Sequence, residues 1–216
     1  MTDTMIVRQA ELRDLEAVYD ICLKTGQAGR DATDLYSDPA LIGHIYAGPY
    51  VALKGPISFV AEDDLGVFGY AVGVSDTRAF EHELEREWWP ALRERYPEPV
   101  QQETVQSADD QRIRTIHNPS PVPRAVIDEY PAHIHMNLLS RARGRGVGTR
   151  LLDAWIAAAK LKGVSAVHAG VSAANEAGLA FWTAREFRPV LTVSNSGSQP
   201  PSGAGEACSR HGPTRL

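Results

Sequence analysis

A glycine-rich turn between an apolar run and an amphipathic run constrains the fold of this chain more than any other feature. The apolar run covers residues 134–139, the turn contains Gly144, Gly146 and Gly148, and the amphipathic run covers residues 147–161. This order predicts a strand, a tight turn and a helix. Glycine lets backbone N–H groups converge, and a helix N-terminus carries partial positive charge. The stretch therefore predicts a seat for a phosphorylated ligand such as a pyrophosphate, with four arginines between 141 and 150 and no acid.

Composition limits the class of protein. The chain has 216 residues, 43% of them hydrophobic, and a net charge of −5 from 22 basic and 27 acidic residues. We expect one domain, and the acidic balance argues against a general nucleic-acid binder. The two cysteines, Cys22 and Cys208, have no metal-ligand spacing, so no metal is expected. No run approaches 18 apolar residues and no signal peptide is visible, so we expect no membrane partner and a cytoplasmic location.

Hydrophobic periodicity predicts alternating strands and helices. We expect strands at 5–8, 58–62, 67–74, 133–139, 166–171 and 187–193, and helices at 12–23, 40–46, 79–96, 109–116, 147–161 and 175–185. The second and third strands form a hairpin, and Gly69 and Gly73 share a face that something approaches closely. We expect one domain over residues 1–193, in which 76–131 is a long insertion between the hairpin and the next strand. Residues 194–216 are expected to be a flexible tail, so the sheet would be one strand short or completed by another chain, as in a homodimer.

Three motifs place glycines between a strand and a helix. A phosphate-binding loop of the P-loop type needs a lysine that is absent, and the dinucleotide fingerprint needs a different glycine spacing early in the chain. The third pattern, [RQ]-x-x-G-x-[GA], is satisfied by Arg143-Gly144-Arg145-Gly146-Val147-Gly148. Asn175 follows the next predicted strand after four residues.

These residues resemble the GNAT superfamily of acyl-CoA N-acyltransferases, from Met5 to about Val193. The resemblance implies an α/β (α+β) fold with a mixed, mostly antiparallel sheet that splays at the motif strand, and helices on both faces. It implies acetyl-CoA as co-substrate, with its pantetheine arm against the backbone of Leu138 and Leu139 and a contact from Asn175. The implied pyrophosphate seat consists of Arg143, Gly144, Arg145, Gly146, Val147, Gly148 and Thr149.

A narrower resemblance is to the C-terminal acetyltransferase-like domain of O-GlcNAcases. It rests on residues 19–25, 33–38, 69–73 and 131–136 and on the pairs Trp89-Pro90 and Tyr96-Pro97. In the animal proteins that domain has a degraded CoA motif. This chain keeps the glycines and arginines and does not contain the hydrolase half. By this resemblance we expect a stand-alone, bacterial-type relative that can bind acyl-CoA.

Acetyl transfer to an amine needs a base, and His133 and His135 are the leading candidates. They lie two apart on one strand and so share a face, and a free histidine has a pKa of about 6.5. Ordinary strand histidines are the competing interpretation. Glu62 and Asp63 are further candidate bases. Asp34, Tyr36 and Trp89 are expected to line the acceptor side, and the insertion 76–131 is expected to fold over it. The tyrosine that many relatives use as an acid is Trp182 here. Three alternatives follow: the thiolate leaves unaided, the acid comes from elsewhere, such as Tyr36 or Tyr70, or the chemistry is slow or lost.

The sequence thus predicts an acetyl-CoA-dependent N-acetyltransferase that acts on a small-molecule or protein amine by direct attack in a ternary complex. A catalytically silent acyl-CoA-binding module is the alternative, favoured by Trp182. A third hypothesis is an interaction domain whose arginine loop binds nucleic acid.

Overall fold

A single seven-stranded sheet organises the described part of the chain. The computed structural model describes residues 5–99, 107–193 and 205–211. Its strands are β1 (Ile6–Gln9), β2 (Ile57–Asp63), β3 (Gly66–Val74), β4 (Ala132–Leu138), β5 (Ala166–Ser172), β6 (Arg188–Val193) and β7 (Gly205–His211). Their spatial order is β1-β2-β3-β4-β5-β7-β6. Among the strands of the described residues, only β4 and β5 pair in parallel, which confirms the mixed, mostly antiparallel sheet.

Helices cover both faces of this sheet, as expected. They are α1 (Leu15–Lys24), α2 (Leu41–Tyr46), α3 (Gly48–Ala52), α4 (Thr77–Glu87), α5 (Trp89–Arg95), α6 (Ala108–His117), α7 (Arg124–Ile127), α8 (Val147–Leu161) and α9 (Glu176–Thr183). Among the described residues, no helix combines the length and apolarity needed to cross a bilayer.

Strand alternation produces two hydrophobic cores, one on each face. On the first face, Tyr70 and Val72 pack with α1 and with buried side chains of the 76–131 segment, among them Phe80 and Ile116. On the second face, Phe68 and Ile134 pack with the apolar stripe of α8, which buries Leu151, Leu152 and Trp155. The long segment between the hairpin and β4 therefore lies on the same face as α1 and the loop that follows it.

Close approach to the sheet, expected at Gly69 and Gly73, is confirmed most clearly at Gly73. A Cβ added there would lie 2.0 Å from the carbonyl oxygen of His133 and 2.8 Å from Cζ2 of Trp155. At Gly69 the nearest atom would be Cγ of Leu138, at 3.2 Å. The hairpin itself is also confirmed, since β2 and β3 pair antiparallel and Asp63 lies opposite Gly66.

Two helix predictions are corrected. The helix expected at 79–96 divides at Trp88 into α4 and α5, and Pro90 lies in the first turn of α5, where its missing N–H is tolerated. The helix α3 was not expected from the sequence; it begins at Gly48, with Pro49 likewise in its first turn. Leu12, expected on the first helix, lies in a preceding 3-10 turn and is 66% exposed.

The expectation of a wholly flexible tail is wrong at residues 205–211. These residues form β7, which inserts between β5 and β6 and pairs antiparallel with both. The sheet is therefore not short of a strand at β5, and the edge that suggested completion by another chain is occupied. The segments 194–204 and 212–216 of the expected tail lie outside the described residues.

Candidate active site

The gap between β4 and β5 is the main feature of the candidate site. The two strands pair only at Ala132↔Val167 and His133↔His168, and the ladder then stops although β4 continues to Leu138. The amide of Leu139 donates to the carbonyl of Phe68 at 2.9 Å, so its N–H points toward β3. Backbone groups alternate along a strand, and those of Ile134, Met136 and Leu138 therefore face the gap. The expected splay is confirmed, and Leu138 rather than Leu139 presents its backbone there.

The glycine turn lies where β4 leads into α8. Gly144 and Gly146 have φ values of +74° and +69°, a left-handed conformation that glycine adopts without strain. A Cβ added at either position would have no heavy atom within 4 Å. The first N–H groups of α8 thus adjoin open space, and a phosphate group fits there on steric and electrostatic grounds.

The arginines of the turn do not all point into this space. Arg141 donates to both oxygens of Asp63 at 2.5 and 2.6 Å, and Arg145 contacts the same carboxylate at 3.3 Å. Both guanidinium groups also stack over Phe68, with centroid distances of 4.5 and 5.2 Å. Asp63, a candidate base from sequence, is therefore an ion-pair partner of the turn, and the Arg141 hydrogen bonds lower its pKa. Arg143 is exposed.

The remaining predicted cofactor residues have distinct positions. Val147 is buried in the second core, so only its backbone can reach a ligand. A Cβ on Gly148 would lie 2.9 Å from Cε2 of Phe181, so glycine there lets α9 pack against the start of α8. The hydroxyl of Thr149 accepts a hydrogen bond from Arg185. Asn175 caps α9 by accepting from the amide of Gly178 at 2.9 Å.

His133 is committed to a buried hydrogen-bond network. Thr77 donates its hydroxyl proton to the carbonyl of Pro131 at 2.7 Å, so it must accept from Nδ1–H of His133 at 2.9 Å. Nε2 of His133 then accepts from the hydroxyl of Tyr50 at 2.7 Å. Burial lowers the pKa of His133 well below its usual value, and His135 and His168 add to the effect. Both ring nitrogens of His133 are therefore occupied within the protein, and its role as a base stays a prediction.

His135 lies on the same face and has a different environment. Its half-buried ring is 5.3 Å from that of His133 and 5.7 Å from that of Tyr50, measured between centroids. Burial, with a smaller contribution from His168, lowers the pKa of His135 to about 4. The imidazole is therefore neutral near pH 7 and has a lone pair available. His168 completes this group of rings and contacts the carbonyl of Tyr130 through Nδ1 at 2.8 Å.

Three other residues singled out in the sequence, Glu62, Trp89 and Trp182, are held by structural contacts of their own. Glu62 lies on β2, two strands from β4, and forms an ion pair with Arg8 at 2.6 Å, so its role as a base stays a prediction. Trp89 is 4% exposed in the first core, because the helix break at Trp88 turns it inward. It therefore does not line an open cleft. Trp182 is also in a core, 4.6 Å from the ring of Phe187.

The loop expected on the acceptor side is anchored by the long insertion. Asp34 is exposed on a 3-10 turn. Tyr36 and Ser37, which follow this turn, form hydrogen bonds with α6. Nε of Arg112 donates to the hydroxyl of Tyr36 at 3.2 Å, and Asp109 accepts from the amide and hydroxyl of Ser37 at 3.0 and 2.7 Å. Sequence reasoning missed Arg112, since its only signal was an arginine on a short predicted helix.

Comparison with known proteins places this geometry in a family. A model of the Acetyltransferase (GNAT) family matches residues 32–187. The crystal structure of SsHAT is 33% identical, covers 96% of this chain and 98% of its own, and superposes with a TM-score of 0.82. YncA from Salmonella typhimurium, solved with its cofactor acetyl-CoA, is 14% identical, covers 98% and 95% of the two chains, and has a TM-score of 0.56, which supports the fold alone.

This chain also matches a short part of a longer protein. Protein O-GlcNAcase from Rattus norvegicus is 24% identical over 151 residues, which are 70% of this chain and 16% of the relative. The mouse protein matches to the same extent. The chain thus spans about a sixth of the length of these two relatives.

Proposed function

The chain belongs to the acetyltransferase (GNAT) family, and we propose that it transfers an acetyl group from acetyl-CoA to the amine of an acceptor, a small molecule or a protein. The observation that carries the proposal is the β4–β5 gap next to the start of α8, with open space at Gly144 and Gly146. An anionic cofactor with a long polar arm is complementary to both features: helix amides for the phosphates, and unpaired strand groups for the arm.

Each part of the gap has a role in this proposal. The amides of residues 144–149 bind the pyrophosphate, and Leu138 pairs with the amide groups of the arm. When bound, acetyl-CoA supplies a thioester carbonyl as the acyl donor. A backbone N–H of β4 that faces the gap donates to that carbonyl oxygen and stabilises its developing charge.

His135 is the base in this proposal. Its low pKa keeps the ring neutral at pH 7, so a lone pair is available to the attacking amine. The amine nitrogen becomes acidic as it bonds to carbon, and a weak base then suffices to remove its proton. Tyr36, whose hydroxyl is held by Arg112, is the proposed acid for the leaving thiolate.

Thiol release tests the proposal directly. We expect free CoA when the protein is mixed with acetyl-CoA and an amine from a panel of glucosamine, polyamines, lysine peptides and histone tails. His135→Ala should lower kcat about a hundredfold or more with an unchanged Kd for CoA, the usual size of a general-base effect. His82→Ala, at an exposed histidine on α4, is the control. CoA binding without thiol release on any amine would reject the enzymatic proposal in favour of a silent module.

A second test addresses the cofactor seat alone. Gly146→Glu should abolish CoA binding, because a side chain and a negative charge would both oppose the pyrophosphate. Gly163→Glu is a matched control at the other end of α8, where φ is +79° and a Cβ also meets open space. Saturating CoA at a hundred times Kd adds about 2.7 kcal/mol of stability, so a thermal shift reports binding. A normal shift in Gly146→Glu would refute the seat.

A further inference from the structure

A further arginine, which does not belong to the glycine turn, lies beside the start of α8. Arg185 follows α9, and its Nη2 donates to the hydroxyl of Thr149 in the first turn of α8. Its guanidinium carbon is 5.1 Å from the ring centroid of Phe181. Phe181 in turn occupies the space that Gly148 leaves open. The end of α9 is thus docked onto the turn that forms the proposed cofactor seat.

The groups that accept hydrogen bonds from Arg185 carry no negative charge. In the described part of the structure it donates to two neutral oxygens, the hydroxyl of Thr149 and, at 3.4 Å, the carbonyl of Ala184. Its Nε is buried and has no hydrogen-bond partner among the described residues. Arg141 and Arg145 differ in this respect, since both contact the carboxylate of Asp63.

The start of α8 therefore offers two places for anionic groups, one at the glycine turn and one at Arg185. The helix amides and the glycine turn suit the pyrophosphate, as proposed above. A guanidinium fixed by a hydroxyl and an aromatic ring, and not neutralised by an acid, suits a separate phosphate, to which the remaining N–H groups on its η nitrogens can donate. Side chains of a helix lean toward its N-terminus, so the Thr149 hydroxyl holds Arg185 close to the amides of the seat.

We propose that Arg185 binds the monophosphate on the ribose of coenzyme A and makes the protein prefer coenzyme A thioesters to those that lack this phosphate. The inference rests on the proposed function, since it assumes that the pyrophosphate occupies the turn. Arg185 is then a specificity-determining residue for the cofactor and takes no part in the chemistry.

The test compares CoA with 3′-dephospho-CoA by calorimetry on the full chain. The wild-type protein should bind CoA at least tenfold more tightly. Arg185→Gln should lose that preference by weakening CoA binding alone, and Arg185→Lys should retain part of it, because the charge remains and the fork is lost. Arg188→Gln removes an exposed arginine three residues away and should leave both affinities unchanged.

The outcomes separate this inference from the proposed function. If the wild-type protein binds the two ligands with equal affinity, Arg185 does not bind the ribose phosphate. The inference is then wrong, whatever affinities the variants show. An equal loss for both ligands in Arg185→Gln would indicate a structural role in docking α9, which also overturns it. If neither ligand binds the wild-type protein, the proposed function itself fails.

Discussion

At the scale of single residues, several positions leave no choice of side chain because of what lies beside them. Gly73 is opposite Ile134 on β4, and an added Cβ would overlap the carbonyl oxygen of His133, a backbone atom that cannot rotate away. The same carbonyl belongs to the residue whose ring joins Tyr50 and Thr77. A change at Gly73 would therefore disturb both the sheet and the buried histidine network.

Gly73→Ala tests this packing. We expect the free energy of unfolding to fall by about 1–3 kcal/mol, the typical cost of overpacking, in urea titrations. Gly170→Ala is the matched control, since Gly170 is also a strand glycine and a Cβ there meets nothing within 4 Å. The control should be neutral or stabilising by about 0.5–1 kcal/mol, because alanine loses less chain entropy than glycine on folding. Equal effects in the two variants would contradict the close approach at β3.

At the scale of elements, β7 is the strand on which β5 and β6 depend. The ladder between β5 and β7 runs from Ala166 to Ser172, whereas β5 shares only two residue pairs with β4. β5, which forms one wall of the gap proposed for the cofactor arm, is therefore stabilised mainly by β7 on its opposite edge. The β4 wall is different, because β3 pairs with it over residues 133–138.

Truncation of the chain to residues 1–204 tests this dependence. We expect the amides of β5 to lose protection in hydrogen exchange, since an unpaired strand edge opens readily. The amides of β4 that bond to β3 should keep theirs. A chain of residues 1–211 retains the ladder and serves as control. Unchanged protection of β5 in the shorter chain would mean that β7 does not stabilise this wall.

At the scale of the whole molecule, three neutral histidines on one face make stability depend on pH. Burial lowers the pKa values of His133, His135 and His168 in the folded protein, whereas an unfolded histidine has a pKa of about 6.5. Between about pH 6.5 and pH 4 the unfolded chain binds more protons than the folded one. The free energy of unfolding must therefore fall as the pH falls through this window.

Urea unfolding at pH 7.5, 6 and 5 measures this effect. Each proton that the unfolded chain binds in excess contributes a slope of about 1.4 kcal/mol per pH unit. His135→Gln should flatten the slope, and His82→Gln, at an exposed position, should leave it unchanged. A stability that does not vary between pH 7.5 and 5 would contradict neutral burial of these rings.

Local chemistry explains what was predictable from the sequence by itself. The limits of α8, Val147–Leu161, were predicted from the apolar stripe and the flanking glycines, because helical periodicity and a left-handed turn involve only neighbouring residues. The strand before the turn, the hairpin and the family resemblance follow for the same reason. So does the motif 143–148, whose spacing is a property of the chain alone.

Only the tertiary structure decided the roles of individual side chains. His133 and His135 are equivalent in sequence, and they differ because Tyr50 and Thr77 come from distant elements to bond one ring and not the other. In the same way, Asp63 holds two arginines of the turn, and Trp89 faces the core after a helix break. β7 carries little apolar periodicity, so its place between β5 and β6 depends on backbone pairing with strands that lie far away in the chain. Such contacts depend on distances in space, which sequence patterns do not encode.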